Sequence, residues 1–153
     1  MSEELTPAQH AIAIDAARQQ LCDFVEQCTD EQWQSTPIEG DDRTVAVITD
    51  HVAHSYEYLG GWIAELLAGD APVVTTDVVD QLNAVHAEGH GDVTRAEVLA
   101  HLKTSGDALI ALVRELQPEQ LMIGDGRVRA FLQVAARHPD SHRTEIETAL
   151  GSS

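Results

Sequence analysis

Two short segments of the chain concentrate histidines at spacings that suit metal chemistry. "RTVAVITDHVAHSYEYLGGWI" carries His51 and His54, and "RHPDSHRTEIETAL" carries His138 and His142. His138 and His142 form an H-x3-H pair, and residues four apart on a helix share a face closely enough to hold one ion. A third imidazole from the first segment completes a three-histidine set and leaves a coordination position for water or substrate. With zinc, that is the pattern of a catalytic rather than a structural site. All-imidazole ligation suits nickel and iron as well, so ligand type leaves the metal open among the three. Glu145, about one turn beyond His142, is placed to steady a ligand or a metal-bound water.

These histidines need elements that bring them together. Helical periodicity and punctuation define four long helices. The first starts at a capping box, with Thr6 as N-cap, Pro7 in the first helical position and Gln9 closing the box. Its apolar stripe runs through Ile14, Ala17, Leu21, Phe24 and Cys28. "TDEQW" reads as a single turn capped by Thr29 or Asp30, and "STPIEGDDR" as loop. The second helix runs from about Thr44 to Ala68 and stops at Gly69. Gly60 and Gly61 inside it predict a close approach by a neighbouring helix, or a bend. A short amphipathic helix spans about Asp77–Glu88. A second capping box, Thr94 to Glu97, opens the third long helix, which ends near Leu116. "IGDGR" is a turn, and the fourth long helix covers about Arg127–Leu150.

No strand pattern competes, so the expected fold is all-α: a four-helix bundle of one domain, residues 1–150, with 151–153 a frayed tail. The short first–second and third–fourth connections predict antiparallel neighbours. The long connection between the second and third helices carries the extra short helix. It can return the chain along the bundle, giving an up-down-down-up order. In that order His51 lies roughly 10 Å below one end of the bundle and His142 roughly 12 Å below the same end, with His138 one turn deeper. Pro139, between the two partners on the fourth helix, predicts either a kink or a new helix beginning there with His138 as its cap.

With 153 residues, the chain is long enough to bury a substantial core. Acidic residues outnumber basic ones 26 to 9, a formal charge of −17. Such a surface repels phosphate backbones and anionic lipid heads, which argues against nucleic-acid and membrane partners. The apolar runs are too short to span a bilayer. The segment "MSEELTPAQH" lacks the basic and apolar regions of a secretory signal, and the expected location is the cytoplasm. Cys22 and Cys28 are expected to be buried, reduced thiols. No Ser or Cys nucleophile with an adjacent base is apparent.

At this point the sequence resembles the DinB-like four-helix-bundle family, which includes the metal-binding domain of mycothiol-dependent maleylpyruvate isomerase and related bacterial thiol transferases. The resemblance rests on one histidine early in the second helix, in "TVAVITDHVAH", and on the pair in "HPDSHRTEI". It extends over nearly the whole chain through helix number and order. It implies that His51, rather than His54, joins His138 and His142 around a divalent metal, zinc first with nickel or iron as alternatives. It further implies a low-molecular-weight thiol of the mycothiol or bacillithiol type and a transferase or isomerase acting on a small-molecule substrate. The same site with water in place of the thiol is a hydrolase. A non-catalytic, dimeric bundle with structural histidines is the alternative from a different class.

The remaining histidines and aromatics have plainer expected roles. His86 and His90 are expected to cap the C-terminal end of the short helix, where unpaired carbonyls favour cations. His10 and His101 read as lone surface residues. Tyr58 and Trp62 follow His51 on one helix stripe and are expected to fill the core, with an aromatic cleft wall as the alternative. Arg127, Arg129, Arg137 and Arg143 are expected to form salt bridges along the fourth helix.

Overall fold

The computed structural model describes residues 4–89 and 92–151, and every regular element among them is helical. In chain order these are α1 (Pro7–Gln27), α2 (Asp30–Gln34), α3 (Val45–Leu67), α4 (Thr76–Gly89), α5 (Arg95–Arg114), a 3-10 turn (Pro118–Met122) and α6 (Ile123–Ala149). His90, Ser152 and Ser153 lie outside the described residues. None of the described helices is long and apolar enough to cross a membrane.

The starts of these helices follow from side chains that accept orphan backbone N–H groups. Thr6, Thr29 and Thr94 each close a reciprocal capping box, with Gln9, Gln32 and Glu97 respectively. Thr44 caps α3 by accepting from the Val47 N–H. At the entrance to α6, Gly124, Asp125 and Gly126 all take left-handed backbone angles. A Cβ on Gly124 would stand 2.9 Å from Leu66 Cδ2, so both the turn and its packing on α3 call for glycine there.

α1, α3, α5 and α6 form the bundle, and contacts along their lengths give their directions. Arg95 at the start of α5 reaches the Cys28 carbonyl beyond the end of α1, and Arg18 bonds Asp107 farther along, so α1 and α5 run antiparallel. Asp50 meets His101, and Gly60 faces Leu109, so α3 and α5 run parallel. Glu4 pairs with Arg129 and Gln20 with Arg143, which makes α1 and α6 parallel. The order is up-down-down-up.

The expected neighbours are a different matter. α1 packs on α5 and α6, and α3 packs on the same two helices, so α1 faces α3 and α5 faces α6 across the bundle diagonals, and neither expected pair of neighbours forms. The link through residues 28–44 includes α2 and is long enough to cross that diagonal. Expecting sequence neighbours to be packing neighbours overlooked that reach.

The interior is aliphatic. Ile14, Leu21, Ile48, Val52, Ile63, Leu102, Leu132 and Ile146 are completely buried. Each contributes about 1.5–3 kcal/mol by leaving water. A bend in α3 and a fresh helix start in α6 are both expected from the sequence, and neither is found. α3 runs unbroken through Gly60 and Gly61, and a Cβ at Gly60 would meet only Leu109 Cδ1 at 3.7 Å while Gly61 faces open space. α6 does not restart at Pro139: its only non-helical residues are those of its opening turn. Pro139 is buried inside the helix, where it removes one backbone hydrogen bond.

Candidate metal centre

The first half of α3 is buried continuously from Val45 to Ala53, because its "VAVI" and "VA" steps supply apolar groups on every face. His51 sits within that run and is only 3% exposed. α6 passes beside it in the opposite direction and presents His138 and His142 one turn apart. The His51 and His138 Nε2 atoms are 3.2 Å apart, and the His138 and His142 Nε2 atoms 2.8 Å. The three nitrogens lie within 4.8 Å of one another. Nitrogens tetrahedrally disposed around a zinc ion at ordinary bond lengths are about 3.3 Å apart, close to the 3.2 and 2.8 Å that separate His138 from its two partners.

Tautomers are set locally. Ser55, four residues after His51 and fully buried, donates its hydroxyl hydrogen to the Val52 carbonyl at 2.6 Å. Its oxygen can then only accept from His138 Nδ1, 3.2 Å away. His138 therefore carries its proton on Nδ1 and turns a bare Nε2 lone pair towards the other two rings. Burial drives the His51 pKa down to about 2, reinforced by His138 and His142. Burial also lowers His138 to about 4, with His142 and Arg43 adding to it. His142 is lowered by burial and by the charge of Arg43. All three imidazoles are neutral near pH 7, the protonation state a metal requires.

Arg43 is gripped by Asp41 through side-chain bonds that include Nε to Oδ1 at 3.0 Å and Nη2 to Oδ2 at 2.8 Å. Its charge reaches all three histidines. Glu145 is exposed and forms no hydrogen bond to His142 among the described residues; its carboxylate acts on that ring only at a distance.

Beside this cluster lies a polar network that sequence reasoning missed. Asp50, 1% exposed, accepts from His86 Nε2 at 2.7 Å on one oxygen and from His101 Nδ1 at 2.8 Å on the other. His101 Nε2 in turn donates to Glu57 Oε1 at 2.5 Å. Carboxylates at both ring nitrogens require both to carry hydrogen, and these bonds outweigh burial to raise the His101 pKa. The bonds from His86 and His101 likewise overcome burial to hold Asp50 below the usual carboxylate range. His86, in the last turn of α4, is thus a buried partner of Asp50. His101 bridges two acids, and His10 is buried to 1% exposure with neither nitrogen hydrogen-bonded. One signal was available: an aspartate within an otherwise apolar half-helix must find partners when buried.

His54 does not join the three-histidine cluster. Its ring stacks on His86, with centroids 5.1 Å apart, and begins a row that continues through Tyr58, Trp62 and Phe131. Tyr58 and Trp62 are half-buried against the core rather than within it. Arg127 closes the row over Phe131, donates to the Pro72 carbonyl and makes no salt bridge among the described residues; Arg129 and Arg143 pair with acids as expected. Among the described residues Arg137 bonds only the Gln133 carbonyl, at 3.4 Å. Cys22 and Cys28 are free thiols, and burial pushes Cys28 up to about 11, leaving it protonated and a poor nucleophile.

The bundle is similar to the solved structure of the sibling lethal factor precursor DfsB, with a TM-score of 0.77, 18% identity and 95% of each chain covered. At that identity the likeness speaks for the fold alone. No curated protein matches the chain. The profile of the DinB superfamily matches residues 13–146, nearly the full length of the bundle, and the chain belongs to that superfamily.

Proposed function

We propose that this protein is a metal-dependent thiol S-transferase or isomerase, of the kind that uses a mycothiol- or bacillithiol-type thiol, with His51, His138 and His142 as ligands of one divalent metal. The observation that carries this reading is the convergence of three neutral imidazole Nε2 atoms at the buried meeting of α3 and α6. The donor set fits such an ion. His138 is held in the ligating tautomer by Ser55, and no cationic side chain belongs to the triad.

When bound, the ion favours the deprotonated form of a thiol near neutral pH. The chain's own residues do the rest. His51, His138 and His142 fix the position at which the thiol sulfur binds. The apolar wall of α3 excludes bulk water. Arg43, held by Asp41, places positive charge near the cluster in a chain of net charge −17, favouring an approaching thiolate. The high Cys28 pKa supports an external nucleophile over a protein cysteine.

The test is thiol consumption in the presence of a panel of electrophiles, using metal-loaded wild type and His51→Ala. Turnover in the wild type, lost in the variant with its helical spectrum unchanged, is the expected result. Equal turnover in both refutes the reading. Turnover with water replacing thiol assigns hydrolysis instead.

A further inference from the structure

α4 is held to the bundle differently from the other helices. It packs against α3, and His86 is its one buried residue among those described. Between α4 and α3 lies a groove of about 390 Å³ lined by His54, Val78, Gln81, Leu82, Val85 and His86. That volume falls within the roughly 300–1,000 Å³ range of small-molecule sites. Its described lining carries no formally charged Lys, Arg, Asp or Glu side chain. Val85 lines it yet is 63% exposed, so an apolar wall is left to water. At the inner end, the His86 ring stands edge-on to His51 with centroids 6.2 Å apart. On the other side of His54, outside the groove lining, the Tyr58 ring lies edge-on at 5.6 Å. The chain has only two Phe, two Trp and two Tyr, and three of these six form the half-buried row that begins there.

We propose that the α3–α4 groove binds an uncharged, flat, apolar ligand, and that this ligand is the apolar body of the electrophile. The second clause rests on the function proposed above; the first stands without it. An anion is disfavoured by a lining with no lysine or arginine in a chain of charge −17. A flat ligand gains by lying along the His54 imidazole and by covering Val85 and Leu82.

The probe is phenylnaphthylamine, a neutral dye that brightens in apolar sites, titrated into the full-length protein beside its sulfonated anion, anilinonaphthalenesulfonate. Saturable brightening is expected with the neutral dye, and binding at least about tenfold weaker with the anion. Val85→Asp should weaken neutral-dye binding by about tenfold or more, since it puts an unpaired charge against the ligand. Leu82→Ala should weaken it severalfold. Val73→Asp, at an exposed apolar residue outside the groove lining, should leave it unchanged, and circular dichroism checks that each variant folds. No saturable binding, equal binding of both dyes, or indifference to both groove variants overturns the proposal. The same titration on His142→Ala separates the two readings. Dye binding that persists in a protein that never holds metal leaves the groove standing and removes the thiol-transfer function.

Discussion

Ser55 Oγ lies 3.2 Å from His138 Nδ1 while giving its only hydrogen to the Val52 carbonyl. One hydroxyl on α3 thereby sets the tautomer of a ligand candidate on α6. Ser55→Ala should preserve the fold and lower metal affinity by about 10–100-fold, the usual cost of losing a partner that orients a ligand. A chelator-competition titration measures this. An unchanged affinity would show that His138 is oriented by packing alone.

Asp50 joins three helices through His86 on α4 and His101 on α5. Its removal strands buried donors, so Asp50→Ala should cost about 3–5 kcal/mol in urea unfolding. Asp50→Asn, which keeps the shape and one acceptor, should cost less. A loss below about 1 kcal/mol for the alanine variant would contradict a structural role for the network.

Pro139 occupies a regular helical position, and the competing terms can be weighed. Alanine regains about 3 kcal/mol of helix propensity and loses up to about 2 kcal/mol of buried ring packing. Pro139→Ala should therefore stabilise the protein by about 1 kcal/mol, read from the denaturation midpoint, and leave metal affinity within twofold. Destabilisation would mean that the ring's packing outweighs the backbone bond it removes.

His10 sets an acid limb for stability. Burial, aided by Arg129, holds its pKa below the ordinary 6.5, so the folded state resists a proton that the unfolded chain accepts. The stability it contributes is present above about pH 6.5 and is lost as the pH falls. His10→Leu should flatten this limb and, by removing two unpartnered buried nitrogens, stabilise by about 1 kcal/mol at neutral pH. Tm measured against pH decides it; a slope unchanged between wild type and variant would contradict the assignment. His101 works in the opposite sense. Its raised pKa gives stability that is present below about pH 6.5 and fades as the pH rises through the folded-state value.

Much of this architecture is legible in the sequence because the signals are local. The threonine caps, Pro7, the apolar stripe through Ile14 and Leu21 and the glycine turn before Arg127 each act within a few residues. The meeting of His51 with His138 and His142 is also legible, since helix order and a fixed rise place them at one depth. What escapes is pairing across elements. Nothing near His101 in the chain names Asp50 as its partner, and His86 reads as a cap until α4 is laid against α3. Ser55 is visible only as a residue one turn from His51. The diagonal placement of α1 and α3 depends on how far the intervening loop travels, which its composition does not specify.

The central claim is that α3 and α6 together build one metal site. Its most direct test is metal content by mass spectrometry on protein purified without an affinity tag or chelator, with His51→Ala and His142→Ala alongside. Close to one equivalent of zinc, nickel or iron per chain is expected in the wild type, lost in both variants while their helical content is retained. A wild type that stays empty after all three metals are offered, or variants that keep the metal, would contradict it.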